Sequence, residues 1–538
     1  MKNIPLVLLL LFILCCKGPV EERTPLVMAP FSDLDTLATD DWWNRPANPI
    51  INLKVARDSV VAFGIYTVAN KTLKLSAQLY PLYPEESREV RLLIMEGNNW
   101  KEIQTAEVND LGWSALFRVE NWDKDGQVRY QIRHGENAFF EGSIRKDPSD
   151  KDEILLAALS CNSNKDRGNR ENYVRNINHQ DPDLIFFAGD QSYDHTEHTA
   201  AWLKFGWQFR ETFRHRPAIT IPDDHDIGQG NLWGENGKIS TSLGSPDGGY
   251  RYHTAYVNMV ERCQTAHLPD PYDPTPVERN IGVYYTNMLL GGIDFAILED
   301  RKFKSGPEGK IPQQGPRPDH IRNPEYDPTS IDLPGLTLLG DRQLKFLDDW
   351  GTSNRDHIKV VLSQTGFCGG AHIHGSPDNR LHADLDSNGW PQTGRKKALE
   401  LIQKANAVHI AGDQHLATVI QHGIDEFRDG PWAFVVPAIV NDYYSRWWWP
   451  ENEKAGLNPN MDTSLPWTGD YLDGFNNKIS MMAYVNPESN SKGGGYGLIR
   501  FNKKEKAVTF ECWPRYVDVT KPEAMQFEGW PFTVSLNN

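Results

Sequence analysis

Two stretches of this chain stop in the same way. "DLIFFAGDQ" (183–191) and "AVHIAGDQH" (407–415) each run apolar and then break on Gly-Asp-Gln. Apolar runs without polar alternation are strands covered on both faces, the condition of a parallel sheet clad by helices. "EILLAALS" (153–160) precedes the first of them, with the polar helical stretch "RENYVRNINHQ" (170–180) between, so the pair reads as a βαβ unit. Further strands are expected at "AITIP", "VYYTNMLLGG", "IDFAILE" and "IKVVLS", and helices at about 198–214, 341–351 and 395–405. Regions 230–280 and 304–335 are rich in Gly, Pro and Asp and read as long loops of the kind that border enzyme sites. The tail "GYGLIRFNKKEKAVTFECWP" reads as a hairpin.

At 538 residues the chain exceeds what one core organises, so two domains with insertions are expected. Residues 48–147 carry short alternating runs separated by turn signals, such as "SVVAFGIYTV" and "EVRLLIMEG". They predict a small antiparallel β-sandwich of immunoglobulin or fibronectin type. "RKDPSDKDE" then reads as a linker to a catalytic domain over 148–538. Residues 1–16 have the form of a lipoprotein signal peptide: one lysine, an apolar run from Leu6 to Leu14, then Cys15 and Cys16, with Cys16 the expected lipidation site. Residues 17–47 read as an N-terminal tether or wrap. The expectation is therefore an exported protein, lipid-anchored to a bacterial membrane or periplasmic or extracellular, and a monomer. A formal net charge of −16 argues against a nucleic-acid scaffold but leaves phosphorylated substrates open, because bound metal can outweigh the global field. Beyond the leader only Cys161, Cys263, Cys368 and Cys512 remain, too few for a disulfide scaffold.

Four strand ends carry metal-capable side chains: "LSCNS" with Cys161, "FAGDQSYD" with Asp190 and Tyr193, "IPDDHD" with Asp224 and His225, and "IAGDQH" with Asp413 and His415. Each alone is an ordinary turn or helix cap. Together they fit two neighbouring cations, which need a bridging carboxylate and rigid anionic ligands. Asp190, directly after Gly189, suits the bridge. Thiolate and phenolate point to iron, as Fe3+, in one position. The oxygen-rich set Asp190, Asp224 and Asp413 suits a second, divalent metal: Ca2+, Mg2+ or Mn2+.

The order S-C, G-D-x-x-Y, D-D-H-D and G-D-x-H resembles the calcineurin-like metallophosphoesterases, and within them the alkaline phosphatase D (PhoD) type, over nearly the whole mature chain. The resemblance implies an α/β fold with a four-layer α/β/β/α metallophosphoesterase core, preceded by the sandwich. It implies hydrolysis of phosphate mono- or diesters and a ferric ion with calcium partners. By motif position Cys161, Asp190 and Tyr193 match the iron ligands, Asp224 stands where many relatives have asparagine, and Asp413 and His415 close the set. "ILEDRKFK" resembles the family's D-T/S-R-x-Y segment, with Glu299 and Phe303 as departures and Arg301 in its place. The twin-arginine signal many relatives carry is absent.

The expected chemistry is attack by a metal-bound hydroxide, with no separate serine or cysteine nucleophile. Arg301 is the candidate for gripping phosphoryl oxygens, against a salt bridge to Glu299 or Asp300. His225 is the candidate to protonate the leaving oxygen, against a structural histidine bonded to Asp226. Asn162, Gln364, His372, His374 and Arg446 are further pocket candidates, Arg446 within the aromatic run "NDYYSRWWWPEN". The expected substrate is a phosphate-ester small molecule, a phospholipid or a nucleotide. Two other classes remain: a different metallohydrolase, phospholipase- or sulfatase-like, and a binding protein with a degenerate site.

Overall fold

The computed structural model describes residues 34–242, 244–371, 381–440, 445–447, 465–489 and 492–536. The leader with Cys15 and Cys16, the His372 and His374 pair, and most of the aromatic run at 441–452 lie outside the described residues.

Seven strands between Val61 and Ile144 form the sandwich. One sheet orders Val61–Ala69, Thr72–Leu79 and Ser114–Val119. The other orders Asn99–Glu107, Glu89–Glu96, Val128–His134 and Ala138–Ile144. Alternation drives the arrangement: Leu73, Leu75 and Phe117 of one sheet meet Val90, Leu92 and Ile132 of the other in a single apolar cluster. The preceding segment wraps this sandwich. Leu34, Leu37 and Trp42 are buried in the same cluster, and Trp113 donates from its indole nitrogen to the Leu37 carbonyl at 2.7 Å.

The remainder is built on two facing sheets. The first is seven-stranded: the parallel strands Ala218–Thr220, Leu184–Phe187 and Glu153–Asn162 form one side from the edge inward, Ala438–Val440 also pairs in parallel with Glu153–Asn162, and the antiparallel tail Gly495–Asn502, Ala507–Pro514 and Phe532–Ser535 forms the other side. The second is eight-stranded, with Ile293–Ile297, Ile358–Thr365, Ala407–Gly412 and Trp432–Val435 parallel. Strand side chains alternate between two environments, as a pleat requires. Leu156, Ala158 and Phe186 face Phe295, Val360 and Ile410 between the sheets. Ala157, Leu159 and Phe187 face outward onto helices α1 (Glu171–Gln180) and α2 (His198–Phe213). Ala296 and Val361 of the second sheet face a different pair of helices, Gly340–Thr352 and Gln392–Lys404. The architecture is therefore the four-layer α/β/β/α core with a small β-sandwich.

The sandwich docks on α2. Phe63 lies 5.5 Å from Trp202 and 6.1 Å from Phe213, ring centre to ring centre, so one apolar cluster runs from the sandwich into the two-sheet core. The 230–280 segment departs from the all-loop expectation. Thr254–Thr265 is a helix, capped by His253 accepting from the Ala255 amide, with Tyr256, Val257, Met259, Val260 and Cys263 buried. Its apolar face is continuous, but flanking Gly, Pro and Asp disguised it. The 304–335 segment is irregular apart from a short 3₁₀ turn at Pro328–Ile331 and His320–Ile321, which pairs with Ala383–Asp384.

Candidate metal centre and active site

Both Gly-Asp-Gln stops have the same physical cause. A Cβ at Gly189 would lie 2.5 Å from the Asp223 Cβ, and Gly189 has φ +109°. A Cβ at Gly412 would lie 2.2 Å from the Ser160 hydroxyl. Only glycine lets neighbouring strand ends, or the ends of the two sheets, come so close. Each then delivers an aspartate into the gap. Four of the expected ligands, Cys161 (φ 58°), Asp190 (57°), Asp413 (66°) and His415 (51°), sit in the left-handed backbone region that side chains with a Cβ rarely adopt. Such strain concentrates where a fold must aim a side chain.

Asp226 fixes the first two strand ends to each other. Its carboxylate accepts from the backbone amides of Asp190 (2.8 Å), Gln191 (3.0 Å) and Asp223 (2.9 Å). It therefore does not bond His225. Burial raises its pKa to about 7, with those hydrogen bonds pulling the other way. Asp223 caps the short helix Asp224–Ile227, which places Asp224 and His225 over the gap.

The result is a set of overlapping donor groups. Oxygen atoms of Asp190, Asp223, Asp224 and Asp413 lie within 4.8 Å of one another, and so do the ligand atoms of Cys161, Asp190 and His415. A ring nitrogen of His225 lies equally close to oxygens of Asp190 and Asp224. Asp190 belongs to all three. The Tyr193 hydroxyl joins the second group, 2.7 Å from Asp190 Oδ2 and 2.8 Å from His415 Nε2. Burial raises the pKa of Asp190 well above its ordinary value, reinforced by Asp223, Asp226 and Asp413. Burial also raises Cys161 well up, reinforced by Asp190 and Asp413. Among the described residues Asp190 Oδ1 and Asp224 Oδ1 are buried without a hydrogen-bond partner. Buried carboxylates facing one another with orphaned oxygens are stable only when a cation or proton balances them. The oxygen-rich group fits a hard cation, and the sulfur, imidazole, phenol and carboxylate group fits a transition-metal ion.

Arg301 is placed otherwise than expected. Its guanidinium is fully buried and gripped by Asp223 (Nε, 2.6 Å), Asp386 (Nη1, 2.7 Å) and Asp413 (Nη2, 3.0 Å). Its planar fork is committed to carboxylates rather than turned to a substrate. Neither expected local partner holds it: Glu299 pairs with Lys302 at 3.0 Å, and Asp300 accepts from the Gln364 and Thr365 amides. Asn162 also proves a brace. It donates to the Gln191 carbonyl and to Gln208, and receives Arg170, so it ties the Cys161 strand to α2. Gln364 likewise donates to the Pro222 carbonyl and the Tyr284 hydroxyl beneath the site. Arg446 lines a separate cavity of about 350 Å³ with Trp467, Tyr484 and Phe527.

His225 faces a cavity of about 300 Å³ that also exposes Asp190, Tyr193, Asp224 and Asp413. Its Nδ1 lies 2.5 Å from Nε2 of His195, and its ring packs on Tyr193 with centres 4.1 Å apart. Burial, with His195, His415 and Arg301 nearby, pushes its pKa well below the ordinary histidine value. His195 closes the opening "GDQSYDH" stretch but its role is invisible there. Asp384 and Asp386 line the same cavity, and Asp384 lies with Asp319 and His320 in a further donor group. The D-x-D spacing in "HADLD" was the only local signal for them.

Comparison with known proteins bears on this geometry. Residues 204–447 match the family model of the PhoD-like phosphatases. That span is a PhoD-like phosphatase domain. The solved structure of PhoD shares the fold at 14% sequence identity, with a TM-score of 0.62 over 89% of this chain and 91% of that one. No curated protein matches the sequence. The PhoD-like match holds Asp223, Asp224, His225, Arg301, Asp386, Asp413 and His415, whereas Cys161, Asp190, Tyr193 and His195 precede it. The site is thus assembled across the border of the matched span.

Proposed function

We propose that this phosphatase is a metal-dependent phosphoesterase of alkaline phosphatase D type, hydrolysing phosphate mono- or diesters. The observation that carries the reading is the shared Asp190, common to a hard oxygen group and a sulfur-containing group. Fe3+ would be held by Cys161, Asp190, Tyr193 and His415, and a divalent ion, Ca2+ above Mg2+ or Mn2+, by Asp190, Asp223, Asp224 and Asp413. Bound there, the cations supply Lewis acidity, activating water and neutralising charge on the phosphoryl oxygens.

The protein's own residues supply orientation. Asp226 and the strained strand ends fix the donor atoms before substrate arrives, and Arg301 holds Asp223, Asp386 and Asp413 in one arrangement. In the tautomer in which His195 donates to Nδ1 of His225, the proton of the neutral His225 ring is on Nε2. There it stabilises the leaving oxygen by hydrogen bonding. Export with a lipid anchor through Cys16, and action as a monomer, belong to the same reading. Its support is the form of the leader. Among the described residues no helix is long and apolar enough to cross a membrane.

The test is elemental analysis of purified protein beside its visible spectrum. We expect iron and a charge-transfer band, and loss of both metal and turnover in Asp190→Ala. A colourless, iron-free and fully active enzyme would remove the iron assignment. Metal retained in Asp190→Ala would remove the shared-ligand role.

A further inference from the structure

With Arg301 committed to carboxylates, the acidic cavity needs another cation if it is to hold an anionic substrate beyond the metals. Among the described residues lining it, Arg317 is the one lysine or arginine. It comes from the irregular 304–335 segment, remote in sequence from every ligand motif. Its guanidinium is half-held: Nε and Nη2 fork onto Asp319 at 3.1 and 2.7 Å, and Nη1 has no acceptor among the described residues. Asp319 is itself buried and receives a second bond, from Asn231 Nδ2 at 2.8 Å. The Arg317 side chain is 51% exposed, so the buried Asp319 holds a fork whose free edge meets solvent at the cavity.

That arrangement differs from an ordinary surface pair. An exposed arginine loses side-chain entropy on being fixed, for little return. Here its rotamer is set by a buried, doubly bonded carboxylate at a cavity lined by Asp190, Asp224, Asp384, Asp386 and Asp413. One positive edge at the rim of a negative bowl selects for a ligand that carries negative charge away from the reacting phosphorus. Resting on the phosphoesterase reading above, we infer that Arg317 is a specificity-determining residue that binds a second anionic group on the leaving-group side of the substrate, with Asp319 as its positioning residue. The substrate class is then a phosphate ester whose alcohol portion is itself anionic.

The inference is tested by comparing 4-carboxyphenyl phosphate with phenyl phosphate, a pair that differs by one carboxylate. The wild-type enzyme is expected to prefer the carboxylated ester by about tenfold in kcat/KM, through KM, as a charge-assisted hydrogen bond allows. Arg317→Gln should bring the ratio near one and Arg317→Glu should invert it. Absence of a wild-type preference, or a ratio unmoved by either substitution, overturns the inference. If the wild-type protein hydrolyses neither ester and also leaves the diester bis(4-nitrophenyl) phosphate intact, it is the phosphoesterase reading that fails. The Arg317 inference is then decided by calorimetric binding of 4-carboxybenzylphosphonate against benzylphosphonate, with the same expected ratios. Should Arg317→Gln misfold because Asp319 loses its partner, Arg317→Gln with Asp319→Asn restores the charge balance and carries the same expectation.

Discussion

At the scale of single residues, the fold accepts unfavourable states where it must aim a side chain, and one such state lies away from the site. Asp35 is buried, and one oxygen accepts from both the amide and the hydroxyl of Thr199 at 2.9 Å at the start of α2. Its other oxygen meets no hydrogen-bond partner among the described residues. Burial raises its pKa to about 7 against an ordinary 3.8, partly offset by the Thr199 hydrogen bonds. The folded chain therefore binds more protons than the unfolded one between those values, so this group's contribution to stability falls as pH rises through that window. Asp35→Asn keeps an acceptor without the charge. Urea unfolding should show the variant close to wild type near pH 4 and more stable at pH 8, by on the order of 3 kcal/mol. An identical pH dependence for both proteins would mean that Asp35 is not held neutral. The ligand candidates themselves were readable in the sequence because chemistry restricts their types. Their partners were not, since Asp226 and His195 act through contacts that strand ends make only after pairing.

Secondary-structure elements were legible wherever their periodicity was undisturbed. The helix expected at about 198–214 is His198–Phe213, and the tail hairpin pairs Gly495–Asn502 with Ala507–Pro514. Thr254–Thr265 was hidden because its flanks carry loop-forming residues, although its buried face repeats at helical spacing. Gly206, inside α2, shows how an element's composition can serve a neighbour. A Cβ there would lie 1.8 Å from the Phe63 ring. In an exposed helix interior Gly→Ala would stabilise by about 1 kcal/mol. At this position overpacking should dominate, so Gly206→Ala is expected to destabilise by about 2 kcal/mol. Thermal unfolding decides the sign, and a raised midpoint would show that the sandwich is not pressed on α2 as described.

At the scale of the whole molecule, the sandwich and the phosphatase core share one apolar cluster rather than meeting through a linker alone. Thr67 of the sandwich also donates to the His267 carbonyl beside the first sheet, and Arg262 of the catalytic part donates to the Leu111 carbonyl. Removing residues 34–147 would strip Phe63 from Trp202, Phe205 and Phe213 and leave that aromatic face in water. The truncated chain retains every metal-ligand candidate, yet it is expected to aggregate or to unfold without cooperativity. Gel filtration and dye binding would reveal either. A soluble, cooperatively melting fragment would show that the two parts are energetically independent.

The amino-acid order alone indicated many of the strands and helices, a small sandwich before an α/β core, and which side-chain types stand at strand ends. Those are local properties, written in the spacing of apolar residues and in glycines that end apolar runs. Tertiary structure decided that Arg301 serves Asp223, Asp386 and Asp413 and that Asn162 and Gln364 brace the site from behind. It also brought Arg317 and Asp384 to the cavity, with Asp319 holding Arg317 from behind. The reason is physical: a pair potential between groups far apart in sequence acts only after the sheets and their loops have packed together, and nothing in either segment's own periodicity records where the other will arrive.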